Sequence, residues 1–126
     1  GTVEFNQAVL VRIYLESTID DEVSCNYYVL DDKRNFILGS GLELAGKPQL
    51  MVRAGGRYLV TYRTLLPLQE GNYSVRLEIT RTIVQGYTAA FIDVIEDAFV
   101  FKMSRREHAR IWAKVFVDNE VSVKTF

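Results

Sequence analysis

The chain has 126 residues, 48% of them apolar, and a formal charge of −1 from 15 basic and 16 acidic side chains. That length suits one domain spanning residues 1–126, with enough apolar material for a two-layer core that needs neither disulfides nor metals. The balanced charge argues against a chain devoted to gripping nucleic-acid phosphates, so no nucleic-acid partner is expected. Cys25 is the only cysteine, which forbids an internal disulfide and fits a reducing compartment. No run reaches the ~20 apolar residues of a membrane helix, and a start at Gly1 rather than Met reads as a domain excised from a longer protein.

In chain order, Val9, Val11, Ile13 and Leu15 alternate with Arg12, Tyr14 and Glu16. This period of two predicts a half-buried strand with the aliphatic set inward. From Ser24 to Leu30 both alternating sets are mixed, which predicts a strand partly covered on both faces. A polar turn over Asp31-Asp32-Lys33-Arg34-Asn35 leads into a short strand, Phe36-Ile37-Leu38. Gln49 to Val52 and Arg57 to Leu65 follow, the latter with Tyr58, Val60 and Tyr62 inward and Thr61 and Arg63 outward. From Tyr73 to Thr80 the residues Tyr73, Val75, Leu77 and Ile79 oppose Ser74, Arg76, Glu78 and Thr80.

Phe91 to Ala98 reads as a short helix, a loop or an edge strand, whereas Ala98 to Met103 and Arg110 to Val117 read as strands. In the last of these, Ile111, Ala113, Val115 and Val117 form the better core face, leaving Trp112, Lys114 and Phe116 outside. Val121 and Val123 extend the alternation into the tail. Breakers separate the runs at Gly39 and Gly41, Gly46-Lys47-Pro48, Gly55-Gly56, Pro67, Glu70-Gly71-Asn72 and Gly86. Seven or so short strands at this spacing predict an all-β fold, an antiparallel immunoglobulin-like sandwich.

Catalytic signals are weak. Gly41 to Lys47 matches G-x-x-x-x-G-K, but Pro48 stands where a phosphate-binding loop needs a Ser or Thr hydroxyl for magnesium. The segment therefore reads as a glycine-rich connection. His108 is the single histidine, which removes two-histidine zinc sites. Cys25 lies in a strand-like apolar run, where cysteines pack rather than react. Neither a catalytic constellation, a metal site nor a cofactor is expected. Lys102, Arg105, Arg106, Arg110 and Lys114 gather near His108 as either a solvated corner or an anion-binding patch.

The residue types that remain suit sugar recognition. A pyranose stacks its C–H face on an aromatic plane while its hydroxyls bond arginine and carboxylate groups. Tyr14 beside Arg12, and Trp112 beside Lys114, supply such platforms, and the same residues equally suit a dimer interface. If the Arg57 and Tyr73 strands are neighbours, Arg63, Arg76 and Glu78 share one face with those platforms. Arg12, Tyr14, Arg63, Arg76, Glu78 and Trp112 are thus the candidate carbohydrate-binding set. In such a site, Arg76→Ala is expected to cost affinity while the melting temperature barely moves.

Leu65 to Leu77, with Gly71-Asn72-Tyr73 at its centre, resembles a segment of the Wzt-type C-terminal domains. Phe5 to Val11, Asn26 to Asp32 followed by Phe36 to Gly39, and Asp93 to Phe101 resemble further segments of that family in the same order. The resemblance implies a non-enzymatic module of the ATP-binding subunit of bacterial O-antigen polysaccharide exporters, at the cytoplasmic face of the inner membrane. It implies recognition of the finished glycan at its non-reducing end, with the ATPase in a separate domain that joins the membrane exporter subunit. It also implies a homodimer with exchanged C-terminal strands, for which Val121 to Phe126 is a suitable tail. The competing class is an immunoglobulin-like structural or protein-interaction module.

Overall fold

The computed structural model describes residues 1–84 and 88–126. It contains β1 (Thr2–Val3), β2 (Ala8–Glu16), β3 (Asp21–Asp31), β4 (Phe36–Ser40), β5 (Leu50–Val52), β6 (Arg57–Leu65), β7 (Gly71–Val84) and β8 (Thr88–Met103). The larger sheet runs β1-β8-β7-β3-β4, with β5 also on β3, and the smaller is the β2–β6 pair. All pairings are antiparallel except β1 with β8, where Thr2 and Val3 lie parallel to Lys102 and Met103. The chain is an all-β sandwich, as its alternation predicts.

The inward sets of β2 and β6 behave as expected: Ile13 and Tyr62 are buried, while Arg12, Tyr14, Thr61 and Arg63 face outward. Across the interlayer space they meet Cys25, Tyr27 and Val29 from β3, Tyr73 and Val75 from β7, and Phe101 and Met103 from β8. The Tyr27 and Tyr62 rings sit 5.1 Å apart, and the Tyr62 hydroxyl donates to the Cys25 carbonyl at 2.6 Å. That bond satisfies a polar group that would otherwise be buried unpaired. Burial pushes the Cys25 thiol up to about 12, so it is an inert packing residue at physiological pH. His108 is exposed on the C-terminal segment and has no part in this core.

Of the three readings of Phe91 to Ala98, the edge strand is the one realised: the segment belongs to β8 and pairs with β7 on one side. Other expectations are corrected. Arg110 to Val117 makes one bridge, Leu68 to Val115, instead of a strand. Its aliphatic set is not the core face: Ala113, Val115 and Val117 are exposed. Phe116 turns inward instead, edge-on to Phe5 at 5.5 Å with the Arg106 guanidinium 4.7 Å from its ring. A phenyl ring offers more contact area than those smaller side chains, and it carries the packing.

The Arg57 and Tyr73 strands are not neighbours. β6 pairs with β2, and β7 lies between β3 and β8 in the other layer. The connection from Leu65 to Gly71 carries the chain between layers, anchored by buried Leu66 and Leu68. Gly41 to Pro48 is a turn closed by backbone bonds such as Lys47 N–H to Leu42 O at 2.8 Å. Lys47 therefore opens no helix. The breaker at Gly86 lies outside the described residues.

The β3–β4 turn supports a pH prediction. The buried Asp31 carboxylate accepts from the Asn35 and Lys33 N–H groups at 2.8 and 3.0 Å and from the Asn35 amide at 3.1 Å. Led by the Asn35 N–H, these donors hold its carboxyl below the usual carboxylate range. A depressed native pKa contributes stability that is fully present above about pH 4 and fades as pH falls through the native value. Melting curves between pH 7 and pH 2 should therefore show Asp31→Asn less stable than wild type near neutrality, with a shallower acid decline. An unchanged acid slope would place that loss in other carboxylates.

Candidate functional site

The outer face of the larger sheet is polar yet largely dry. Register sets Ser24 opposite Thr80, Asn26 opposite Glu78, Tyr28 opposite Arg76 and Leu30 opposite Ser74. Ser24, Ser74, Glu78 and Thr80 are all buried. Such groups need partners, and they have them. Ser24 Oγ donates to Asn26 Oδ1 at 2.8 Å, and the Asn26 amide donates to Thr80 Oγ at 3.3 Å. The alternation that predicted a half-buried strand thus hides a β7 covered on both sides.

At the centre of this face, Arg76 is held by two carboxylates. Its Nε lies 2.8 Å from Glu78 Oε2, and its Nη1 lies 2.8 Å from Glu96 Oε1. Glu78 arrives by strand period two, but Glu96 arrives through a bulge. Val75 pairs with Phe99 and Leu77 with Ile95, so three residues of β8 face Arg76 alone. Bulges re-aim side chains, and Asp97 takes a φ of 51° within this one.

Arg76 also lies 5.7 Å from the centroid of the Phe36 ring, and Tyr28 packs against Phe36 at 5.1 Å. Gly39 makes room for this pair, since a Cβ there would come within 2.4 Å of the Tyr28 ring. Burial pushes the Tyr28 hydroxyl above its ordinary range, with nearby Glu78 adding to the effect. Phe36 remains 55% exposed and presents an open aromatic surface beside a planar guanidinium.

A cleft of about 520 Å³ shares this face, lined by Asp32, Arg34, Asn72, Ser74, Asp97 and Lys102 among others. Arg34 bridges it, donating to Asp97 Oδ1 at 2.6 Å and Ser74 Oγ at 3.3 Å. That pairing holds the Asp97 carboxyl below the usual range. Amide, hydroxyl, ammonium and carboxylate groups thus line the groove together with Tyr73 and Phe101. This donor and acceptor set can orient a polyhydroxylated ligand.

The sequence-predicted residues do not form one site. Arg76 and Glu78 lie here, but Arg12, Tyr14 and Arg63 lie on the outer face of the β2–β6 layer, with Leu10 opposite Arg63 and Tyr14 opposite Leu59. Trp112 is 79% exposed on the C-terminal segment, with the Arg110 guanidinium 4.6 Å from its ring. The expected single face carrying two arginines and their aromatic platforms is therefore corrected. Tyr28 and Phe36, which the sequence reading passed over, are the rings that stand beside Arg76. The short Tyr28-to-Phe36 spacing across a polar turn was the available signal, because a hairpin brings such rings together.

The basic corner divides into specific contacts. Arg110 pairs with Glu70 at 2.6 Å, Arg106 packs between Phe5 and Phe116, and Lys114 lies 3.7 Å from Asp31. No group of three or more metal-ligating side chains occurs among the described residues, and no helix there is long and apolar enough to cross a membrane.

A family model described as the Wzt C-terminal domain matches residues 1–116. A solved structure titled "Crystal structure of the C-terminal domain of wzt" superposes with a TM-score of 0.84 at 14% identity, covering 98% of this chain and 74% of that one. At that identity the superposition speaks for the fold. No curated protein matches the chain.

Proposed function

The chain belongs to the Wzt C-terminal domain family, and from that premise we propose that it is a non-catalytic carbohydrate-binding module for bacterial O-antigen polysaccharide. In this reading it serves the ATP-binding subunit of an exporter at the cytoplasmic face of the inner membrane. The glycan's non-reducing end enters the groove bridged by Arg34 and Asp97 and reaches Phe36, on the same hairpin as Arg34. The observation that carries the reading is Arg76, fixed by two carboxylates beside an exposed aromatic ring. A guanidinium held in this way presents its remaining donors in one orientation, as hydroxyl recognition requires. The protein acts as a homodimer joined through its C-terminal tail.

An array of bacterial O-polysaccharide fragments tests the binding. The full chain should retain a defined subset, and Phe36→Ala should weaken the strongest of these by about tenfold, or roughly 1.4 kcal/mol, within the range of aromatic stacking contacts. Phe36 is half-exposed, so its melting temperature should stay close to wild type. Trp112→Ala and Tyr14→Ala, on other surfaces, should bind normally. Loss in Trp112→Ala with none in Phe36→Ala would move the site to the C-terminal segment. An array without any retained glycan would favour the protein-interaction reading.

A further inference from the structure

The groove on the larger sheet is crossed by an ion pair whose two ends both sit in unfavourable backbone. Arg34, in the β3–β4 turn, has a φ of 66°, and Asp97, in the β8 bulge, has a φ of 51°. Left-handed backbone suits glycine and is tolerated by Asp, but it is uncommon for a long side chain such as arginine. The turn fixes Arg34: its N–H donates to Asp31 O at 3.1 Å, and the Asp31 carboxylate accepts from the N–H groups of Lys33 and Asn35 on either side. The register change between Ile95 and Phe99 fixes Asp97. Stability does not account for this arrangement. The two side chains are 46% and 54% exposed, and a pair so open to water adds little to folding. Strained backbone of this kind gathers where side chains must be aimed at a ligand.

What the pair aims is a donor edge beside an acceptor. Arg34 Nη1 makes both of its bonds, to Asp97 Oδ1 at 2.6 Å and to Ser74 Oγ at 3.3 Å. Among the described residues, Nε and Nη2 of Arg34 and Oδ2 of Asp97 have no hydrogen-bond partner. Neighbouring gauche hydroxyls on a pyranose stand about one hydrogen-bond length apart, as the contact atoms of Arg34 and Asp97 do. One hydroxyl can accept from the guanidinium while the next donates to the carboxylate. Val100, 61% exposed along the groove, offers an apolar contact for the C–H face of the same ring. The charged side chains of the groove cancel. Arg34 answers Asp97, Lys114 lies 3.7 Å from Asp31, and Lys102 and Asp32 remain, one of each sign. An acidic sugar would meet carboxylates with no side-chain cation in excess.

We propose that the Arg34–Asp97 pair is the specificity element of this groove, reading a free vicinal diol on an uncharged terminal sugar and disfavouring acidic ones. This rests on the glycan-binding reading above and names the class of sugar it takes.

The test uses the full chain and immobilised O-polysaccharide fragments of three kinds. These are neutral fragments ending in a hexopyranose with a free vicinal diol, the same fragments after periodate cleavage of their diols, and fragments ending in a hexuronic acid. The first kind should be retained, and the other two should bind at least about tenfold more weakly, the size of one lost hydrogen bond to a charged group. Arg34→Gly and Asp97→Gly should each lose about as much on the diol-ended fragments. Their melting temperatures should stay close to wild type or rise, because glycine relieves the left-handed backbone. Binding that survives periodate, or that is stronger for hexuronic acids, would overturn the diol reading while leaving glycan binding intact. Glycine variants that bind as wild type would overturn the role of the pair. A fall of several degrees in both variants would make the pair a structural brace and overturn the inference as well. An array with no retained fragment of any kind would discard the glycan reading itself.

Discussion

Replacing Arg76 by alanine is expected to cost about 3 kcal/mol of folding stability, at the lower end of the range for breaking a buried ion pair. The expectation from sequence, an unchanged melting temperature, assumed a solvated face. In the structure the Arg76 side chain is 18% exposed, and that of its partner Glu78 only 7%. Removing the guanidinium leaves the Glu78 carboxylate in a dry setting, with Asn26 opposite and, among the described residues, no other cation paired with it. The residual exposure of Arg76 is why the lower end of the range applies. Arg76→Lys should lose less than alanine, because one ammonium keeps the charge but not the fork that spans Glu78 and Glu96. The double replacement Arg76→Met with Glu78→Leu should be less damaging than Arg76→Ala alone, since it strands no charge. Chemical denaturation of the three variants checks this ordering. A double variant as unstable as Arg76→Ala would show that shape, rather than charge pairing, dominates here. Glycan binding by Arg76→Ala is consequently a poor measure of contact, and Phe36→Ala is the cleaner probe.

Leu68→Ala is expected to cost about 2–5 kcal/mol, the span for deleting a leucine from a packed core. Leu68 is fully buried although it lies outside every strand, on the connection that crosses between layers. Its neighbours are anchored on both sides, by Leu66 and by the bonds from Pro67 and Gln69 to the C-terminal segment. The backbone is therefore poorly able to close the cavity, which favours the upper half of the range. A loss of that size lowers the melting temperature by roughly 4 °C for each kcal/mol in a domain of this length. Leu68→Met, nearly equal in volume, should lose less than about 1.5 kcal/mol. Thermal melts of both variants are sufficient. A small loss in Leu68→Ala would mean that the crossing connection relaxes into the space.

The two expectations concern residues of different legibility. Tyr73, Val75 and Ile13 could be placed inward from alternation alone, because strand geometry sends successive side chains to opposite sides whatever the neighbours are. Arg76 and Glu78 could be placed on the opposite side from those for the same reason. Their burial could not, since the bulge that brings Glu96 over Arg76 depends on how β8 registers against β7. Arg63 illustrates the same limit. Its outward direction follows from its own strand, but its separation from Arg76 follows from which strand pairs with which. Phe116 shows a third kind of miss: the alternation of Ile111 to Val117 is real, yet a segment tied by one bridge has no sheet to impose it, and packing against Phe5 and Arg106 decides instead.

By itself the sequence determined the fold class, the strand count to within one or so, the faces of β2, β6 and β7, and the character of Gly41 to Pro48 as a connection. These depend on local periodicity and turn chemistry, which are written in neighbouring residues. Only the tertiary structure decided that β6 belongs with β2, and that Tyr28 and Phe36 rather than Tyr14 and Trp112 stand beside Arg76. Strand order and register are set by contacts between residues far apart in the chain. Their energies depend on which distant faces meet, and one strand's alternation is compatible with many such meetings.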